Sequence, residues 1–273
     1  MTISMKKIIV ILGFLGFTTL AWSQQYTTKQ ATLPCVNKDF NLVAHILRDS
    51  MGETNILESD IEAAVDSLNK YYAPICMSFT LCEVSIIDNF QYDDTENENE
   101  WTELKVKHLQ DNRINVFFVN TIDWDEDMEC GYTDQGAITM TDSGGAILMK
   151  KDCTINEPKS LIHEMGHFFG LYHTFETEFG EETVNGDNCE EAGDLVCDTP
   201  ADPYEIGMPV ENYVDVEQGC RFIDASSDAN GQIYIPHVGN FMSYYQDTCR
   251  CGFTYGQYQR MIGQYELAPV KYW

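Results

Sequence analysis

Apolar residues recur along the first half of the chain with two different periods. Segments rich in β-branched and aliphatic residues predict strands at residues 41–48, 77–87 and 114–119. Apolar residues at helical spacing predict helices at residues 61–72 and 101–110. Two short apolar runs follow, at residues 137–140 and 146–149. This order predicts an α+β fold in which a twisted mixed sheet is backed by helices.

Two of the predicted helices carry capping signals. Ser59 and Glu62 have the spacing of a capping box at the start of the first helix. A final helix is predicted at Tyr255–Leu267, where Thr254 and Gln257 can form the same kind of cap.

The first 23 residues have the pattern of a secretory signal peptide. Two lysines precede an apolar run, which ends in the small-x-small sequence Ala21-Trp22-Ser23. Residues 24–38 are polar and predict a mobile leader or a short pro-segment. The folded domain is then predicted at residues 39–273, with subdomains at about 39–173 and 174–273.

The chain is strongly acidic, with 16 Lys and Arg against 44 Asp and Glu and a formal net charge of -28. This charge disfavours nucleic acids and anionic membrane surfaces as partners. It is compatible with calcium binding, with cationic substrates, or with solubility outside the cell. After the signal peptide, no segment has the roughly 18 apolar residues of a transmembrane helix. We therefore expect a monomer that is secreted, extracellular or periplasmic, without membrane or nucleic-acid partners.

Ten cysteines, all after the predicted signal peptide, indicate an oxidising compartment. Their even number predicts several disulfides. The competing interpretation, a cysteine-rich zinc site, is disfavoured because such a site would favour a CxxC pair, which the chain lacks. Residues 175–246 are rich in Gly, Asp, Asn and Pro and predict an irregular C-terminal subdomain held by disulfides. The spacing of the cysteines does not fix which of them pair.

Three of the six histidines lie in the eleven residues HEMGHFFGLYH, at 163–173. In a helix, His163 and His167 project from one face and can bind a single zinc ion. Glu164 lies beside them, where it can take a proton from water. Gly170 can adopt a positive φ that ends the helix and brings His173 round as a third ligand.

Three neutral ligands leave the fourth position of a zinc ion open for water, as in catalytic sites. Zinc can lower the pKa of such a water to about 7 and can polarise a peptide carbonyl. The motif therefore predicts hydrolysis of peptide bonds by metal-activated water.

The pattern HExxHxxGxxH resembles the signature of the metzincin zinc endopeptidases, and NFMSY at residues 240–244, with Met242, resembles their Met-turn. More narrowly, the chain resembles the pappalysin family, particularly its small secreted bacterial, ulilysin-like members. The matching segments are HEMGHFFGLYHTF, GDLVCDTP at residues 193–200, NFMSY, and FTYGQYQRM after Cys249. The resemblance is weaker over residues 39–150. It implies a metzincin-like catalytic domain with Zn²⁺ as its cofactor.

The resemblance also implies roles for individual residues. The zinc ligands would be His163, His167 and His173, with Glu164 as general base and acid. Tyr244 would move toward the zinc and stabilise the tetrahedral intermediate. The family has Asp where Ser243 stands, which puts a hydrogen bond beneath the site in doubt.

In the same relatives the segment GDxVxDTP contributes to a calcium site. The corresponding ligands here would be Asp194, the carbonyl of Val196 and Thr199, with Asp198 as a further candidate. Hard oxygen donors suit Ca²⁺, although an Asp-capped turn explains the same residues.

Metzincins bind extended substrates antiparallel to an edge strand above the zinc helix. Our candidate for this edge is residues 146–149, with Gly144 and Gly145 allowing close approach; the segment could equally be a buried strand. Asp247 is placed to line the pocket for the residue after the cleaved bond. Such a carboxylate would favour cleavage before Arg or Lys.

The cysteines leave alternatives open within the family. Relatives often block the zinc with a pro-segment cysteine, and Cys35 would either play this part or form a disulfide. Cys249 would pair with Cys220 or Cys189, and Cys251 then needs a partner elsewhere.

These features predict a secreted zinc endopeptidase that acts on protein or peptide substrates. The alternative is a zinc-stabilised extracellular binding protein that has lost catalysis. The presence of both Glu164 and Tyr244 favours the enzyme.

Overall fold

A computed structural model describes residues 32–123, 130–140 and 145–273. The predicted signal peptide and the first part of the leader, up to residue 31, lie outside the described residues. The strands are β1 (Lys38–Leu47), β2 (Met77–Ile87), β3 (Asp94–Thr95), β4 (Ile114–Val119), β5 (Thr121–Ile122), β6 (Gly131–Thr133), β7 (Ala146–Lys150), β8 (Val214–Asp215) and β9 (Arg221–Phe222). The α-helices are α1 (Glu58–Tyr72), α2 (Glu98–His108), α3 (Lys151–Asn156), α4 (Ser160–Phe168) and α5 (Tyr255–Leu267).

The main sheet has five strands in the order β2-β1-β4-β7-β6. The first four run parallel, and β6 pairs with β7 in the antiparallel direction. The predicted mixed sheet is therefore confirmed. The candidate edge at residues 146–149 was wrong, because β7 lies between β4 and β6. A strand buried on both faces must be apolar throughout, which is what the run Ala146–Met149 encodes.

The helix starts differ from the predicted capping signals. Helix α1 begins at Glu58, and the Asp60 carboxylate accepts a hydrogen bond from the Leu57 N–H, so the Ser59–Glu62 capping box was wrong. Helix α2 begins three residues earlier than predicted because the Asn97 side chain caps it. Helix α5 has the predicted limits and its predicted capping box.

The main core lies between the sheet and helices α1, α4 and α5. The rings of Phe40, Tyr72, Phe79 and Phe169 pack against one another there, and all four are almost completely buried. Burying one such ring contributes roughly 1.5–3 kcal/mol relative to an exposed position. Because α5 packs into this core, the last helix supports the N-terminal layer although it follows the irregular region in sequence.

Residues 175–246 are largely irregular, as predicted, and contain only short strands and a 3-10 turn. They have a small core of their own, which includes Phe175, Tyr204, Tyr213 and Tyr245. Burial of so few side chains supplies little stability, so disulfides are expected to supply a larger share of the stability of this region.

Four disulfides join eight of the ten cysteines, in pairs that spacing alone did not fix. They are Cys35–Cys76, Cys130–Cys153, Cys189–Cys197 and Cys220–Cys249. Cys35 therefore forms a disulfide, and Cys249 pairs with Cys220, one of its two predicted partners. The expected partner for Cys251 was wrong, because Cys251 and Cys82 are both free and exposed. In the part of the chain that the structure describes, no helix has the length and apolar character needed to cross a bilayer.

Candidate functional site

Helix α4 carries the first two histidines on its inner face. Ser160–Phe168 is helical, and every one of its residues is buried. Gly170 has φ +82°, and the Leu171 N–H donates to the Gly166 carbonyl. This left-handed turn, which glycine adopts at little cost, reverses the chain directly after the helix. The reversal returns the next histidine, His173, to the helix face.

The three imidazoles converge on one point. The Nε2 atoms of His163 and His167 lie 3.0 Å apart, and His173 Nε2 lies 3.2 Å from the first and 3.0 Å from the second. Three ring nitrogens this close can share one ion. The structure thus brings together the three residues that the sequence predicted as metal ligands.

Backbone carbonyls fix the orientation of two of these rings. His163 Nδ1 lies 2.7 Å from the Phe241 carbonyl, and His167 Nδ1 lies 2.8 Å from the Leu171 carbonyl. A proton on each Nδ1 satisfies these contacts and leaves the Nε2 lone pairs for a metal. The His173 ring is held by stacking on Phe175, with centroids 4.8 Å apart.

The chemistry of the donor set fits zinc. Burial lowers the pKa of all three imidazoles, to about 4 for His167, so they are neutral at pH 7. Neutral imidazole is the form that binds zinc, and three such ligands leave a position for water or substrate. The ligand atoms of these three histidines lie within 4.8 Å of one another, close enough to hold one metal ion.

Glu164 faces the same region from α4 and lines the cavities on both sides of the histidines. Its Oε2 accepts a 2.9 Å hydrogen bond from the Thr133 hydroxyl on β6. Burial raises the pKa of this carboxyl to about 8 in the metal-free protein, and the Thr133 hydrogen bond opposes the shift. A divalent cation beside the carboxyl would favour the ionised form.

The predicted Met-turn lies directly below α4. Met242 is fully buried, and a Cβ added to Gly166 would collide with its Sδ. The Met242 carbonyl accepts from the Thr174 N–H, which ties the turn to the residue after His173. The Ser243 hydroxyl donates to the Asn240 carbonyl, so this departure from the family pattern leaves no unpaired group.

Tyr244 follows the Met-turn and lines both cavities next to the histidines. Its ring centroid lies 4.7 Å from that of His173 and 5.6 Å from that of His163. The side chain is thus near the point on which the imidazoles converge, where the sequence placed it.

The calcium candidates form a second polar cluster. Asp194 and Thr199 are each 1% exposed, and Asp194 Oδ2 and Thr199 Oγ1 have no hydrogen-bond partner among the described residues. Glu182 lies beside them, since a Cβ on Gly193 would be 2.6 Å from its Oε2. Asp198 instead accepts a hydrogen bond from the Gly256 N–H at the start of α5.

A cleft with a cavity on each side of the histidines runs along β6, the edge of the sheet. One cavity, of 420 Å³, contains Glu157, Asp247 and Arg250 in its wall. The other, of 310 Å³, contains Tyr132, Tyr172 and Ile206. Sequence reasoning did not identify Thr133, Glu182 or Arg250, because only folding brings these distant positions to the site.

A three-histidine cluster on a helix and turn, with an adjacent glutamate under the edge of a mixed sheet, defines a zinc metallopeptidase of the metzincin type. A model of the peptidase M43 family, described as pregnancy-associated plasma protein-A, matches residues 128–266. A second model, for the reprolysin-like M12B metallopeptidases, matches residues 58–174. The chain belongs to the M43, or pappalysin, family and is a metalloendopeptidase of that type.

Individual relatives agree with this assignment. The chain is 26% identical over 226 residues to an extracellular metalloprotease of Arthroderma benhamiae, covering 80% of this chain and 73% of that protein. An extracellular metalloprotease of Neurospora crassa is 27% identical over 245 residues, with coverage of 86% and 75%. The solved structure of mirolysin in complex with compound 9 superposes with a TM-score of 0.59 at 16% identity, covering 88% of this chain and 95% of that chain. This likeness confirms the predicted fold class.

Proposed function

We propose that the chain is a secreted zinc endopeptidase in which His163, His167 and His173 hold the metal and Glu164 is the general base. The observation that carries the proposal is the convergence of three Nε2 atoms within 3.2 Å, next to a buried carboxylate in an open cleft. Zinc, when bound there, supplies a Lewis acid that activates water and polarises a peptide carbonyl. The names of the relatives support secretion.

The chain's own groups handle the proton. Glu164 accepts a proton from the attacking water and later delivers it to the leaving amine. The Thr133 hydroxyl donates to Oε2 of this carboxylate, so Oε1 is the oxygen that remains to accept the proton. Tyr244, whose ring lies beside those of His163 and His173, would donate a hydrogen bond from its hydroxyl to the oxyanion of the intermediate.

The substrate binds as an extended chain along β6. Among the described residues, β6 pairs with β7 on one side and with no strand on the other. Its free edge offers backbone hydrogen bonds, which an antiparallel peptide can use whatever its side chains are. Because peptides and unfolded proteins can adopt this conformation, they are the proposed substrate class.

We also propose that Ca²⁺ stabilises the irregular subdomain. Asp194, the Val196 carbonyl, Thr199 and the neighbouring Glu182 would supply oxygen ligands. The unpartnered oxygens of Asp194 and Thr199 support this site, since buried oxygens without partners are costly. Burial raises the pKa of Asp194 well above its usual value and that of Glu182 to about 7, costs that a bound cation would offset.

Replacement of the base tests the proposed function. Zinc-loaded wild type and Glu164→Ala are compared on an unfolded protein substrate, with zinc content measured for both. Loss of a general base is expected to lower kcat by about 10²- to 10⁴-fold while zinc remains bound. Glu217→Gln, an exposed position away from the cleft, serves as control and should match wild type. Equal cleavage by wild type and Glu164→Ala would refute the proposal.

A further inference from the structure

The direction of β6 identifies which cavity receives which part of a substrate. Going along β6 from Gly131 to Thr133, the strand leaves the cavity that contains Arg250 and continues along the one that contains Tyr172. An antiparallel peptide runs the other way, so its residues after the cleaved bond enter the Arg250 cavity. We call this cavity the leaving-side pocket.

The wall of the leaving-side pocket holds a largely buried ion pair. The side chain of Arg250 is only 7% exposed, and its Nη2 lies 3.2 Å from Asp247 Oδ1. On the opposite side, the Lys159 N–H donates to Asp247 Oδ1 at 3.2 Å, and Lys159 Nζ lies 3.8 Å from Oδ2. The Asp247 carboxylate is therefore shared between two cationic side chains and is not free to bind a substrate cation.

The charges of the cluster around Asp247 balance one another. Arg250 Nη2 also lies 3.8 Å from Glu157 Oε2, a carboxylate whose side chain is 48% exposed and therefore largely screened by solvent. Two cations thus face two anions, and the deepest of the four charged groups is the guanidinium. Apart from Glu164, which faces the proposed zinc site, the other parts of the wall are uncharged and include Val210 and Tyr245.

A substrate side chain would meet these paired charges directly. A Lys or Arg side chain would place a second cation beside the buried guanidinium, and such like-charge contacts are a common basis of rejection at protein interfaces. A Glu side chain would meet Asp247 in the same way. An uncharged side chain meets neither repulsion and can pack against the apolar part of the wall.

We propose that Arg250 is a specificity-determining residue: by pairing with Asp247 it makes the enzyme cleave before uncharged side chains and reject Lys and Arg. The inference rests on the proposed peptidase function. It differs from the preference for Arg or Lys predicted from the sequence, which followed from Asp247 lining this pocket. The new preference arises from a contact between two side chains, so the presence of Asp247 alone does not reveal it.

The test uses five peptides that differ only in the residue after the cleaved bond: Leu, Gln, Glu, Lys and Arg. For the zinc-loaded wild type, kcat/KM is expected to be about tenfold or more higher with Leu and Gln than with Lys and Arg. In Arg250→Met, which removes the nearer of the two cations that pair with Asp247, the Lys and Arg peptides should gain about tenfold relative to Leu. A wild-type preference for Lys or Arg, or an unchanged ratio in Arg250→Met, would overturn the proposal.

A second variant keeps the test decisive if Arg250→Met does not fold. Asp247→Asn leaves the guanidinium without its main partner, so the Glu peptide should gain relative to Leu while Lys and Arg remain poor. If Asp247→Asn instead lowers a dominant cleavage before Lys or Arg, Asp247 is the free anion and the proposal fails. Arg221→Met, which removes an exposed arginine outside the cleft, should keep the wild-type profile.

The two proposals fail in different ways. Activity that persists in Glu164→Ala removes the proposed catalytic mechanism, whatever the peptide profile. Activity that depends on Glu164 but favours Lys or Arg removes only the role of Arg250.

Discussion

The backbone of Gly131 approaches the side chain of Glu164 so closely that no Cβ fits between them. A Cβ at Gly131 would lie 2.7 Å from Glu164 Cγ and 2.9 Å from its Oε1. Two residues further along β6, the Thr133 hydroxyl holds the other carboxylate oxygen. The edge strand therefore positions the proposed base by one steric contact and one hydrogen bond.

Gly131→Ala is expected to displace the Glu164 carboxylate and to lower kcat/KM by about 10²-fold, the effect of an error of about 1 Å in a reacting group. Peptidase kinetics and zinc content are measured on the purified variant. Gly263→Ala is the matched control, because a Cβ there meets nothing within 4 Å. Full activity of Gly131→Ala would show that catalysis does not depend on the position in which Gly131 holds the Glu164 carboxylate.

Gly170→Ala is expected to weaken zinc binding and to destabilise the fold by about 1 kcal/mol or more. The residue has φ +82°, and a Cβ would lie 2.7 Å from Gln264 Cγ. Zinc affinity and urea unfolding measure the two effects. The double variant Gly170→Ala/Gln264→Ala removes the collision but keeps the backbone strain, so it should recover only part of the loss. Complete recovery would mean that the positive φ costs little.

Zinc added to metal-free protein should raise its thermal stability. The ion binds the folded protein, where the three histidines are close together, and not the unfolded chain, where they are apart. The gain is about 2.7 kcal/mol when free zinc is 100 times the Kd. His173→Ala should lose most of this gain, whereas His108→Ala, on helix α2 away from the triad, should keep it. Equal stabilisation of the two variants would place the zinc elsewhere.

Calcium should stabilise the wild type and have little effect on Asp194→Asn. The variant removes the charge of a buried carboxylate whose Oδ2 has no partner among the described residues. In calcium-free buffer the same variant should be as stable as wild type or more so, because it relieves an unpaired buried charge. Thermal unfolding with and without Ca²⁺ measures both effects, and Asp187→Asn, at a more exposed position, is the control. A calcium response retained in Asp194→Asn would refute the site.

The buried Asp202 should lower the free energy of unfolding as the pH rises above the ordinary pKa of an aspartate. Its carboxylate accepts from Thr174, Tyr245 and the Tyr204 N–H, yet burial raises its pKa from 3.8. Between the ordinary and the raised pKa, the folded protein binds more protons than the unfolded chain, so the free energy of unfolding decreases with pH.

Asp202→Asn removes this titration. Relative to wild type, the variant should therefore gain stability as the pH rises above about 4, the ordinary pKa of an aspartate. Urea unfolding at several pH values measures the difference. Asp202→Ala should lose stability at every pH, because three buried donors lose their acceptor. Parallel pH profiles for wild type and Asp202→Asn would contradict the prediction.

Local sequence patterns predicted the elements that depend on neighbouring residues. Helix α5 formed between its predicted limits because its capping box and its apolar stripe agree. Helix α1 started one residue before the expected cap, because Asp60 rather than Ser59 and Glu62 satisfies the first turn. Such errors arise where several nearby polar side chains can serve the same backbone groups.

The sequence alone determined how the three histidines and the glutamate are spaced in the proposed metal site. Helical periodicity places His163 and His167 on one face, and a glycine after the helix permits the turn that returns His173. Both features depend only on residues close together in the chain, so the spacing of the motif predicts them. Tertiary structure decided that β6 rather than β7 is the sheet edge, that Thr133 and Gly131 position Glu164, and that Arg250 and Lys159 neutralise Asp247. These relationships join residues that are mostly far apart in the chain. Their distances are fixed only when the strands and helices that carry them pack around a shared core.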